Sequence, residues 1–93
     1  MTDDIKTALG LFKVALGVSH DKRDEYFTAL LTASVADLSG RGVVLDLANI
    51  DDVMLLVDYA EYKYRSRDEA KAMPLHLDLR IRNRKARGRA YGA

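Results

Sequence analysis

A chain of 93 residues with 48% hydrophobic and 31% charged residues and a net charge of +1 fits one small globular domain. Such a length buries only about 60 to 65% of the surface that the unfolded chain exposes, so self-association is a ready source of further stability. The absence of cysteine excludes disulfides, thiolate zinc sites and cysteine nucleophiles together. The apolar runs fall short of a membrane span, and the opening MTDDIK, with acids where a secretory signal carries bases, reads as mature cytoplasmic sequence.

The net charge conceals a split. Residues 1–60 hold five bases and ten acids, a balance of −5, whereas residues 61–93 hold ten bases and four acids, a balance of +6. Two such ends can pair between neighbouring subunits, or the basic end can face a polyanion.

Asp3 to Gly17 places Ile5, Leu9, Phe12 and Leu16 on one stripe, with Asp3 and Asp4 where negative charge suits the helix dipole. A helix is expected, stopped by Gly17. Asp21 stands at an N-cap position with Asp24 three residues on, before a second amphipathic helix carrying Phe27, Leu30, Leu31, Ser34, Val35 and Leu38 and ended by Ser39-Gly40. RGVVLDLA, between Gly40 and Asn49, is β-rich but too short and isolated to build a sheet. It is expected as an extended connection with its apolar residues tucked against the core.

Asn49 caps the third helix, with Asp51 and Asp52 in its first turn. From Asp51 to Arg67, Val53, Met54, Val57, Ala60 and Tyr64 recur at spacings of three and four, and Leu55 and Leu56 widen the stripe. A helix apolar over most of its circumference must be surrounded, which makes it the central one. Tyr59, Tyr62 and Tyr64 fall on different sides of it, so at most two are expected in the core and the third at a subunit contact. Tyr64 and Tyr26 are expected in the core.

The chain turns at Ser66 to Ala72, and Met73-Pro74 opens a fourth helix with proline at its first position. The leucines of LHLDLRIRN then alternate with period two, the signature of a strand. One unpaired strand is not stable, and Leu, Arg, Lys and Ala form helices well, so a helix is expected there. The fold class is all-α, a small single domain of about four helices with an extended connection between the second and third. Residues 1–84 form the helical domain and residues 85–93 a basic C-terminal tail, flexible when unbound.

Catalytic chemistry has little to work with. His20 and His76 lack the paired spacing of a metal site, and no metal or cofactor is expected. Asp58 and Glu61 sit three apart, but Lys63 and Arg65 lie close and make a solvated charged face. SGRG, around Arg41, lacks the spacing of a phosphate loop. The serines have no histidine placed to activate them, so an enzyme is the least supported class.

The C-terminal bases carry more weight. Arg80, Arg82, Arg84, Lys85, Arg87 and Arg89 come within ten residues with no acid among them, enough to neutralise several phosphates or to dock on an acidic protein surface. A solvated, solubilising tail is the other account of them. Sequence-specific DNA reading has no helix-turn-helix segment to support it.

The exit VDYAEYKYRSRD and the segment MPLHLDLRIRNRK together resemble the small head-tail connector proteins of tailed bacteriophages, also called head-completion or adaptor proteins. The resemblance is strongest from Asp51 to Lys85, where Tyr59, Tyr64, Arg65, Met73, Pro74, Leu77, Ile81, Asn83 and Arg84 carry it, and it extends loosely to the two earlier helices. It implies an all-α fold of about four helices, which decides against a strand after Pro74. It further implies a non-enzymatic virion protein at the head-tail interface, present in the host cytoplasm during assembly. Subunits of that family form a ring under the portal, commonly twelve-fold, which extends the DNA channel and docks the next tail-side component. Tyr62, Arg65, Arg67, Arg80, Arg82, Arg84, Lys85, Arg87 and Arg89 are then the expected subunit or portal contacts, with nonspecific contact to passing DNA and none to membrane. The alternative is a small basic-tailed nucleic-acid-binding or regulatory module.

Overall fold

The computed structural model describes residues 3–67 and 71–92, with the side chains of 5–67 and 71–87. Four helices follow one another: α1 Asp3–Leu16, α2 Asp24–Gly40, α3 Ile50–Arg65 and α4 Leu75–Gly92. The described residues contain no strand. The small all-α fold stands as expected.

The central helix α3 packs against each of the others, and α4 comes close to α3 alone among the helices. The molecule is thus a three-helix body with a fourth helix hung on one side. Phe12, Phe27, Leu31, Leu56, Val57 and Ala60 belong to the core of the body. There the Phe12 and Phe27 rings meet edge to face at 5.2 Å, and Tyr64 sets its ring edgewise against Phe27 at 5.6 Å. A second cluster joins the arm to the body: Leu77 and Ile81 of α4 meet Leu55 and Tyr59 of α3, Leu38 of α2 and Val43.

Those two α4 residues explain the period-two signal. In LHLDLRIR the apolar positions form two helical pairs, each four residues apart. Leu77 and Ile81 are buried, while Leu75 and Leu79 stand exposed. Two faces of one helix, interleaved, imitate a strand.

The helix ends depart from expectation in detail. Asp21 does not cap α2, which begins at Asp24 behind Arg23 with no side-chain cap; the Asp21 carbonyl instead accepts from Asp24 N–H in the preceding turn, at 3.2 Å. Asp24 is drawn to Lys13 of α1, at 2.8 Å. Gly40 is the last residue of α2 and not its stop. The stop is Gly42, whose φ of +92° lets its N–H reach Ser39 O and the Val43 N–H reach Leu38 O. Val43 and Leu38 then meet in the second cluster, the apolar contact that accompanies this helix ending. Gly17, with φ of +74°, ends α1 in the same way, its N–H on Val14 O and that of Val18 on Lys13 O.

Asn49 caps α3 as expected, its Oδ1 accepting from Asp51 N–H at 2.9 Å. Pro74 stands one place earlier than expected, before the first residue of α4, its carbonyl accepting from Leu77 and Asp78. The connection after Gly42 has no regular structure over 43–46 and turns at Leu47 and Ala48, with Val43 buried, Leu45 and Leu47 half-buried and Val44 turned out.

Of the two tyrosines assigned to the core, Tyr64 packs there as expected and Tyr26 is corrected. Tyr59 is fully buried, and Tyr62 is half-buried with its hydroxyl donating to Lys71 O at 2.8 Å. With Tyr64 on the body core, all three serve contacts within the chain. Tyr26 is half exposed, tilted against Phe27 and Tyr64. Met54, expected in the core stripe, is exposed.

Because Leu56 is fully buried and Val14 is 78% exposed, the two truncations separate sharply. Leu56→Ala is expected to lower the unfolding free energy by about 2 to 5 kcal/mol, and Val14→Ala to change it by less than about 0.5 kcal/mol, both read from urea denaturation.

Candidate functional site on the fourth helix

Helical spacing turns α4 so that Leu77, Ile81 and Arg84 share its inner face. Arg84 is therefore not a free surface cation. Its Nε donates to Asp52 Oδ1 at 2.8 Å and its Nη2 to Asp52 Oδ2 at 3.0 Å and to Val44 O at 3.1 Å. Asp52 itself is 2% exposed and accepts a further bond from Asp46 N–H at 2.8 Å. One bidentate pair thus ties α4, α3 and the α2–α3 connection together.

The neighbouring arginines are engaged in turn. Arg80 pairs with Asp58 of α3 at 2.5 Å, and Arg82 with Asp78 one turn back at 3.1 Å. Lys63 lies on Asp37 at 3.4 Å. Asp37–Lys63, Asp52–Arg84 and Asp58–Arg80 each join an acid of residues 1–60 to a base of residues 61–93, so part of the opposite charge of the two ends is paired within one chain.

What remains lies toward the far end of α4. Lys85 and Arg87 make no ion pair among the described residues, and Lys85 lays its stem over Gly42, where an added Cβ would stand 2.8 Å from its Cε. Residues 85–92, expected as a tail, continue the helix. The side chain of Arg89 lies outside the described residues.

At the exit of α3, Arg65 pairs with Glu61 at 2.7 Å. Arg67 stacks 3.9 Å from the centre of the Tyr64 ring and donates to the Tyr64 carbonyl. Arg23 approaches the same side chain from α2, donating to its hydroxyl at 2.9 Å. The eight expected contact residues whose side chains are described therefore do not form one patch. Tyr62, Arg65 and Arg67 surround the α3 exit, whereas Arg80, Arg82, Arg84, Lys85 and Arg87 follow α4.

Asp58, Glu61 and His76 line one groove between the end of α3 and the start of α4. Each carboxylate there is held by its own arginine, Arg80 and Arg65. Among the described residues no three His, Asp or Glu side chains are grouped to hold a metal ion, and no helix is long and apolar enough to cross a membrane.

A second polar cluster escaped sequence reasoning. The buried Tyr59 donates its hydroxyl to Asp37 Oδ2, and Lys63 and Arg41 add positive charge nearby. Burial, then the bond to Asp37, pushes the Tyr59 phenol up to about 12. The Tyr59 hydroxyl, followed by Lys63 and Arg41, holds the Asp37 carboxyl below its ordinary value against the opposing effect of burial. For Asp52, burial is the largest influence and acts upward; the Arg84 bonds and the Asp46 N–H outweigh it and leave the carboxyl lowered. Asp52 was legible in one respect, for it lies four residues before Leu56 on the buried face of α3 and so requires a cation.

Comparison with protein-family models, with curated proteins and with solved structures finds no match to this chain.

The lowered carboxyls fix the sign of a pH dependence. An aspartate titrates near 3.9 in the unfolded chain, so the stability contributed by Asp37 and Asp52 is complete above that value and is lost as pH falls through their lower folded values. Unfolding free energy should therefore fall as acid is added below about pH 4, and Asp52→Asn should flatten part of that slope. At neutral pH Arg84→Ala strands a buried carboxylate and should cost about 3 kcal/mol or more, whereas Arg82→Ala should stay within about 0.5 kcal/mol, both read from denaturation curves.

Proposed function

We propose that this chain is a structural virion protein, a head-tail connector or adaptor of a tailed bacteriophage, forming a ring under the portal that extends the DNA channel and docks tail components. The observation that carries this reading is where the residues of the resemblance meet. Tyr59, Leu77 and Ile81 share the cluster that attaches α4, and Arg84 locks the same attachment from the side. The pattern that resembles the connector family is thus the pattern that sets the fourth helix on the third. An attached helix with cations toward its far end suits a subunit that reaches another component, since its fold does not depend on covering that end.

In this reading Lys85, Arg87 and Arg89 face the portal or the channel wall, and passing DNA meets them without sequence preference. Partners are the portal, the next tail-side component and further copies in a ring, twelve-fold in the virion. A dedicated nucleic-acid-binding module is less favoured, because Arg80, Arg82 and Arg84 already face carboxylates. That leaves fewer cations for phosphate neutralisation than the sequence run suggests.

Sedimentation of the chain with the portal protein of its own phage tests the proposal. A complex is expected, weakened by the double variant Lys85→Gln, Arg87→Gln, whose melting temperature is measured beside it so that loss of fold is told apart from loss of contact. Failure to bind the portal at any accessible concentration, or tight and steeply salt-dependent DNA binding by the isolated chain, overturns it.

A further inference from the structure

The two apolar faces of α4 have unequal fates. Leu77 and Ile81 are covered by the body, but Leu75 is 70% and Leu79 47% exposed, side by side on the face turned away from α3. Arg82 continues that face one turn further on. Its bond to Asp78 is an exposed pair within one helix, the kind that exchanges readily for a better partner.

A matching pair stands at the start of α3. Ile50 and Met54 are exposed, also four residues apart, and Asp51 beside them makes no ion pair among the described residues. Both patches therefore present two large apolar side chains across one helical turn with a charge at their edge, Arg82 on α4 and Asp51 on α3, the latter across a groove from Arg80 and Arg87 of its own chain.

One chain cannot join its own two patches. Arg80 pairs with Asp58 and Arg84 with Asp52, so α3 and α4 run antiparallel. The start of α4 consequently lies by the end of α3, about 22 Å along the helix from Ile50, and its Leu75–Leu79 face is turned away from α3. We propose that the outward face of α4, Leu75, Leu79 and Arg82, docks on the α3 start, Ile50, Met54 and Asp51, of a second copy of this chain. The two surfaces differ, so the contact is heterologous: each copy keeps one of each free, and repetition yields a ring or a filament rather than a closed dimer. This inference rests on reading the chain as an assembling subunit and names the surfaces by which it assembles.

The lack of native cysteine makes the test direct. Leu79→Cys and Met54→Cys are prepared as separate variants, checked for helicity by circular dichroism, mixed at high concentration and oxidised. The mixed 79–54 dimer should exceed either homodimer by about tenfold, and a chain carrying both substitutions should give a ladder of higher oligomers. Formation of the 79–79 homodimer as readily as the mixed one, or mixed crosslinking no greater than that of a Val14→Cys control, overturns the proposal. Portal binding of the unmodified chain is measured separately. Portal binding without the 79–54 crosslink removes only this inference, and the crosslink without portal binding removes only the connector assignment.

Discussion

The structure turns on one carboxylate. Asp52 sits on the buried face of α3, where an unpaired charge is not tolerated, and Arg84 reaches it from α4 with two parallel bonds. The same guanidinium holds the Val44 carbonyl, and the same carboxylate holds the Asp46 amide. A pair of this kind returns little net free energy once the loss of hydration is counted. Its contribution is geometric: with the Arg80–Asp58 pair it sets where α4 lies along α3, and through Val44 and Asp46 it ties the connection to both helices.

Much of this was legible from helical spacing. The stripes of α1 and α2, the Asn49 cap and the inward side of RGVVLDLA all follow from the period and chemistry of neighbouring residues. Contacts across the chain were not legible, because nothing in the local pattern says which carboxylate an arginine will meet. Arg80 and Arg84 looked like part of a free basic run, since their acids lie 22 and 32 residues away in sequence. Tyr26 and Met54 show the opposite failure. Met54 lies on the stripe of α3 and Tyr26 is a large aromatic beside that of α2, so both read as core, yet each comes to rest partly in water.

The internal pairing also redistributes charge. A sequence with an acidic front and a basic end suggests a molecule polarised along its length, but Asp37, Asp52 and Asp58 cancel part of that polarity within the fold. Two cations of α4, Lys85 and Arg87, are left without a carboxylate among the described residues, and the field they create is short in reach at physiological salt. In the connector proposed above, recognition through α4 then depends on close fit, with charge contributing mainly at contact.

Gly42 carries an implication for how such a chain can diversify. It is exposed, so burial places no restriction on it, yet a side chain there meets the positive φ that ends α2. The Lys85 stem lying across the backbone is the end of a flexible side chain and can swing aside, but the backbone strain stays. Among descendants of this sequence position 42 should stay glycine whatever residue 85 becomes, while Val44, two residues on and pointing into water, drifts freely.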